Sequence, residues 1–230
     1  MGCPVMAKTW DESSKIVAQS PNYTVDLSGR ILSAFWLRAL VYAGAFWSGF
    51  FVMGVELLGG RLLAPYFGSS VFVWGALIAV FMACLSVGYL IGGQLSLRAP
   101  QVSLLGLLML TAGIFGLPLV VLHSTLLETI SNLITDPRYG ALVASMVLFA
   151  PATIVSGIVS PYAVRLLVSA VGESGRSAGF LYFVSTLGSA AGTILTSFYF
   201  VLFFDVNTIL LAMIAMSCSI GLLLVSMGRK

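Results

Sequence analysis

The chain has 230 residues, of which 59 % are apolar and 8 % are charged, with a formal net charge of +3. A soluble domain runs roughly 45–50 % apolar and about 25 % charged, so this composition excludes one. It also excludes a disordered chain, which needs low hydrophobicity and high charge. Of three cysteines, Cys84 and Cys218 lie inside long apolar runs, which excludes a disulfide scaffold. What remains is an all-α integral membrane protein.

Residues 1–33 read as a cytoplasmic N-terminal tail. They lack the apolar core of a signal peptide. The start Met1-Gly2-Cys3 has Met6 where a myristoylation pattern wants Ser or Thr. Asn22-Tyr23-Thr24 matches a glycosylation sequon but is expected on the cytoplasmic side, where it has no role. Ile31, Leu32, Phe35 and Trp36 form an interfacial lead-in to the first crossing.

From residue 34 to 228 the scarce charges act as dividers. Uncharged stretches separate Arg38 from Glu56, Arg61 from Arg98, Arg98 from Glu128, Arg138 from Arg165, Arg176 from Asp205, and Asp205 from Arg229. A helix needs about 20 apolar residues to cross the hydrocarbon core, so each stretch holds one crossing. Six transmembrane helices are expected at 37–60, 72–97, 102–122, 140–163, 178–203 and 207–227. Barrel strands would alternate polar and apolar residues, and Val71 to Leu97 is apolar on every face. Between the third and fourth helices, Leu126, Leu127, Ile130, Leu133 and Ile134 fall at helical spacing. They predict a short amphipathic surface helix, capped by Ser124 and ended by Asp136-Pro137.

An even number of crossings puts both termini on one side. That side holds Lys8, Lys15, Arg30, Arg38, Arg98, Arg165, Arg176, Arg229 and Lys230; the other holds only Arg61 and Arg138. The positive-inside rule makes the termini cytoplasmic. Glu56, Glu128, Asp136 and Asp205 fall at or near the outside. The basic excess is therefore a topology signal, and no nucleic-acid partner is expected.

Small residues mark packed faces. Gly88 and Gly92 in the second helix, and Gly188 and Gly192 in the fifth, are small-xxx-small pairs. The two pairs differ by 100 positions, while Pro65-Tyr66 and Pro161-Tyr162 differ by 96. These spacings suggest two copies of a three-helix unit, inverted relative to each other as in many secondary transporters.

Glu56 is the informative charge. It is 18 residues after Arg38, about 27 Å along a helix, so it is expected near the outer boundary. A carboxylate there must be paired, hydrated or protonated. Arg61 is about 140° around an unbroken helix, and a break at Gly59-Gly60 would bring the two together. Two readings stay open: cation or proton binding, and a structural ion pair. His123 reads as an interfacial residue, Asp205 as a turn and cap residue, and Arg165 as a snorkelling residue after Ser160-Pro161-Tyr162. No His/Cys/Glu spacing suggests a metal site, no Ser–His–Asp set stands out, and no cofactor-binding fingerprint is present.

The run Glu56-Leu57-Leu58-Gly59-Gly60-Arg61, through Ala64-Pro65-Tyr66-Phe67-Gly68-Ser69-Ser70 and Trp74-Gly75 to Ser86-Val87-Gly88-Tyr89 and Gly92-Gly93, carries a resemblance. It resembles the membrane half of the bacterial fused major-facilitator/spermidine-synthase proteins, densely over residues 45–98 and more loosely beyond. Gly88 through Gly92-Gly93-Gln94 to Arg98 is also similar to the major-facilitator loop after helix two, but without its acid, since Ser96 and Leu97 precede Arg98. The resemblance implies a half major-facilitator-like module in a bacterial cytoplasmic (inner) membrane. Glu56, Arg61, Tyr66, Trp74 and Tyr89 are its candidate substrate- or ion-binding residues. The chain ends at Lys230 without the family's soluble synthase half, which is expected on a separate polypeptide if it exists. The first functional expectation is a small transporter-like protein moving polyamines or related cations as a homodimer. The second is a membrane anchor for a separate spermidine-synthase-like enzyme, through the tail and the Arg165–Arg176 loop. A membrane enzyme acting on a lipid or isoprenoid is a third, disfavoured by the scarcity of catalytic groups.

Overall fold

The structure is a computed structural model that describes residues 27–97, 100–168 and 174–228. The tail before Leu27 (with Met1-Gly2-Cys3 and Asn22), Arg98, residues 169–173 of the Arg165–Arg176 loop, Arg229 and Lys230 lie outside them. The compact unit described here is Leu37–Lys230.

Every element is helical among the described residues: α1 Leu27–Phe67, α2 Val71–Leu95, α3 Val102–Val121, α4 His123–Leu133, α5 Pro137–Leu167, α6 beginning at Ser174–Leu195, and α7 Val206–Gly228. The α6 rod changes register through a π-turn at Thr196–Phe200 and closes at Val201–Phe203. All of these except α4 are long and apolar enough to cross a membrane, giving six spans. The expected ranges hold within a few residues for all but α1.

That helix runs seven residues past the expected end at residue 60, and its candidate span is Trp36–Phe67. Gly59-Gly60 does not break it. The two glycines instead make room for rings: a Cβ on Gly59 would lie 2.8 Å from the Phe149 ring, and one on Gly60 would collide with the Trp74 indole. The chain turns only at Gly68, whose φ of +80° suits a residue without a side chain. Ser124 is not the cap of α4, which starts one residue earlier at His123. Asp136 caps the next helix, its carboxylate accepting from the Arg138 N–H at 2.9 Å with Pro137 in the first turn.

Lipid tails are as apolar as leucine, so helix association here depends on close packing. Three helix pairs achieve it through glycine. Against α6, Gly49 of α1 faces the Ser185 carbonyl, and Gly188 and Gly192 face the Phe46 and Phe50 carbonyls. Against α2, Gly157 of α5 faces the Leu85 carbonyl, and Gly88 and Gly92 face the Ile154 and Ile158 carbonyls. The two interfaces correspond residue for residue. Phe46, Gly49 and Phe50 each lie 108 positions before Ile154, Gly157 and Ile158; Leu85, Gly88 and Gly92 lie 100 before Ser185, Gly188 and Gly192. In the third pair the relation is reciprocal. A Cβ on Gly106 of α3 would lie 2.6 Å from the Gly221 carbonyl oxygen, and one on Gly221 of α7 would lie 2.7 Å from that of Gly106.

This contact pattern is that of an internal two-fold relating α1 to α5, α2 to α6 and α3 to α7. The glycine spacing of 100 belongs to it. The Pro65/Pro161 spacing of 96 does not, because the contacts relate α1 to α5 by 108 positions and so match Pro161 to Met53. The larger core cluster gathers Leu58, Leu77, Phe81, Leu127, Phe149 and Leu210, and a second gathers Leu105, Met109, Tyr162, Leu181 and Leu224. Outside them the helices expose large apolar side chains such as Leu90, Ile114, Phe198 and Leu202. A surface of that kind contacts the lipid bilayer.

Candidate functional site

A small polar cavity is lined mostly by residues that the internal correspondence matches. Ser48 of α1 donates its hydroxyl to the Ser156 carbonyl of α5 at 3.2 Å, and the two serines are themselves 108 positions apart. Around this pair a cavity of about 70 Å³ is lined by three further matched pairs, Val52 and Ser160, Leu85 and Ser185, and Tyr89 and Ser189, and by Gly49 and Met53 of α1, whose counterparts do not line it. α1, α2, α5 and α6 all contribute to its lining.

Three of the five cavity serines have given their hydroxyl proton to a carbonyl, Ser48 across to α5 and two within their own helices. Ser156 Oγ donates to the Ala152 carbonyl at 2.8 Å and Ser189 Oγ to the Ser185 carbonyl at 3.3 Å. A hydroxyl that has given its proton away keeps its lone pairs, so the cavity presents acceptors. Such a lining suits water or a ligand rich in N–H donors. Tyr89 is 48 % exposed, so the cavity reaches the protein surface between α2 and α6.

Glu56 lies one turn beyond Val52 on α1, about 6 Å along the axis and about 40° around it. It is 6 % exposed and makes no hydrogen bond or ion pair among the described residues. The ion pair with Arg61, one of the two open readings, does not form, because the unbroken helix keeps the two apart. The helix continues eleven residues past Glu56, about 16 Å, so Glu56 falls within the candidate span Trp36–Phe67.

Arg61 and Trp74 are brought together in a second cavity of about 180 Å³, nearer the Phe67 end of α1. Leu57, Thr196, Ser197 and Val201 complete its lining. Tyr66 joins neither cavity and packs half-buried against the larger core cluster. Gly88, Gly92, Gly188 and Gly192 all lie at helix contacts, as their spacing predicts. His123 Nδ1 is buried without a partner, Asp205 accepts the Ile209 N–H through its carbonyl at 3.0 Å, and Arg165 ends α5 exposed.

The five cavity serines and Thr196 are the residues that sequence reasoning passes over. Their one signal is the i, i+4 spacing of Ser156 with Ser160 and of Ser185 with Ser189. Among the described residues no three His, Cys, Asp or Glu side chains gather to hold a metal ion. Compared with protein-family models, with curated proteins and with solved structures, the chain matches none. The likeness to the fused major-facilitator/spermidine-synthase proteins thus rests on the motif residues alone.

Proposed function

We propose that this chain is a transporter-like membrane protein, half of a major-facilitator-type unit, that moves polyamines or related small cations. The observation that carries the reading is Glu56: an acidic side chain only 6 % exposed, without a hydrogen bond or ion pair among the described residues, within a candidate span and one turn from Val52 of the serine cavity. An acid at the centre of a membrane helix costs about 2.5–3.5 kcal/mol on insertion scales, and such residues mark ion and substrate paths. An ammonium ligand would supply the missing counter-charge, and the serine lone pairs would take its remaining N–H groups. An anchor for a separate synthase-like enzyme has no use for such a carboxylate, so transport is favoured over anchoring.

The functional unit is a homodimer. The serine cavity opens between α2 and α6, and α6 is the least enclosed span, with 17 % of its most apolar stretch buried. A second copy placed there would close the cavity and complete a twelve-helix assembly with the site at its midplane. The positive-inside rule supports cytoplasmic termini, and the resemblance to bacterial proteins supports a bacterial inner membrane.

The test is uptake of labelled spermidine into proteoliposomes by the native chain and by Glu56→Gln. Saturable uptake by the native chain that falls at least about tenfold in the variant is expected, as for loss of a charge-assisted contact. Uptake unchanged in Glu56→Gln removes this carboxylate from the mechanism, and no uptake by the native chain refutes the reading.

A further inference from the structure

The Arg61 cavity has a chemistry opposite to that of the serine cavity. Its polar lining consists of a guanidinium, two hydroxyls and an indole, with no carboxylate among them. Arg61 is exposed and makes no ion pair or hydrogen bond among the described residues. Its charge is permanent and its five N–H donors form a fixed fork.

Thr196 supplies the second observation. It is 0 % exposed, and its Oγ1 has no hydrogen-bond partner. Other helical threonines of this chain satisfy themselves: Thr111, Thr129 and Thr193 each donate to the carbonyl four residues back, at 2.7, 2.7 and 2.9 Å. Thr196 opens the π-turn Thr196–Phe200, where the α-helical register is lost. Single π-turns inside α-helices are frequent at functional sites. The Trp74 ring lies over Gly60 and forms a fixed wall opposite. At about 30 Å³ per water, 180 Å³ has room for a ligand group the size of about six waters.

We propose that this cavity binds an oxyanion, a carboxylate or phosphate group, held by the Arg61 fork with the exposed Ser197 hydroxyl, beside the π-turn that Thr196 opens. The site is independent of the transport reading and would stand if that reading failed. The anion has two sources: a free small molecule, or the phosphodiester of a lipid headgroup reaching Arg61 from the outer leaflet.

The experiment uses the full chain in phosphatidylcholine nanodiscs. Its thermal stability is followed against inorganic phosphate and succinate at constant ionic strength. In parallel, native mass spectrometry counts phosphatidylglycerol retained from mixed-lipid nanodiscs. Saturable stabilisation by a free anion, weakened about tenfold in Arg61→Gln, assigns the site to free anions. No response to free anions, with a retained phosphatidylglycerol that Arg61→Gln loses, assigns it to headgroups. Ser197→Ala removes one exposed hydroxyl and keeps the test open if the arginine variant does not fold; about threefold weaker binding is expected of it. Absence of both responses, or variants that bind like the native chain, overturns the proposal.

Discussion

Replacing Gly188 with alanine would press a methyl group against the backbone of α1. The new Cβ would collide with the Phe46 carbonyl oxygen and lie 2.8 Å from its carbon and 3.0 Å from its Cα. All three are main-chain atoms, so no rotamer change relieves the clash. Ordinary C···O contacts run about 3.3–3.6 Å, so the helices must part by on the order of 1 Å. Overpacking of this kind costs about 1–3 kcal/mol. Alanine also gains about 1 kcal/mol of helix propensity over glycine, which has to be separated out. Gly179, in the same helix, serves as the control, because a Cβ added there would meet nothing within 4 Å. Gly179→Ala therefore takes the propensity gain alone, and the gap between the two variants reports the clash. At about 2–4 °C per kcal/mol for a chain of this size, the gap in Tm is about 2–12 °C. Thermal unfolding in nanodiscs measures it. Gly88→Ala, whose Cβ would meet the Ile154 carbonyl, should behave as Gly188→Ala does. A Gly188→Ala protein as stable as Gly179→Ala would refute the packing argument, and unequal penalties at the two sites would refute the internal correspondence.

Two further substitutions probe polar groups in the core. Tyr162 is fully buried; its hydroxyl accepts the Gln101 N–H at 2.8 Å and donates to the Gln101 carbonyl at 3.2 Å, tying α5 to the start of α3. Tyr162→Phe should cost about 0.5–1.5 kcal/mol in nanodisc unfolding, because the Gln101 N–H loses its partner while the Gln101 carbonyl keeps the Leu104 and Leu105 N–H groups. Ser145 is buried with an unpartnered hydroxyl, so Ser145→Ala should leave Tm unchanged or raise it. A fall of more than about 1 kcal/mol would mean that the hydroxyl has a partner, such as a bound water.

The number and order of the spans are legible because charge is rare: Arg38, Arg61, Arg98, Arg138, Arg165, Arg176 and Asp205 fall between the apolar rods or near their ends. The end of α1 is not legible from Gly59-Gly60, since a glycine pair reads equally as a break and as a seat for aromatic rings. Only the positions of Phe149 and Trp74 decide between these. Gly88, Gly92, Gly188 and Gly192 announce packed faces, but small-xxx-small spacing carries no information about which helix lies opposite. The serine cavity is invisible for a related reason. Serine in an apolar helix ordinarily bonds to its own backbone, and Ser156 and Ser189 do so. What makes them a site is the crossing of four helices at one point. The π-turn has no marker in Thr196-Ser197-Phe198-Tyr199-Phe200. Glu56 stands out as an acid inside an apolar run, yet the further eleven residues of helix beyond it are seen only once α1 is followed to Phe67.

The glycine contacts also set an order of assembly. α1 and α2 each find their close partner in the second half of the chain, and α3 pairs closely with α7, so neither half can complete its own packing. Gly88 must wait 69 residues for Gly157, and Gly49 must wait 136 for Ser185. At a synthesis rate of about 5–20 residues per second, the longer wait is about 7–27 s. During that time the grooves around Gly49, Gly88, Gly92 and Gly106 are filled by lipid or by the insertion machinery. The first half of the newborn chain thus holds only the contacts it can make itself, such as Gly60 with Trp74 and Gly44 with Met109, and the two halves clasp each other only when α6 and α7 arrive.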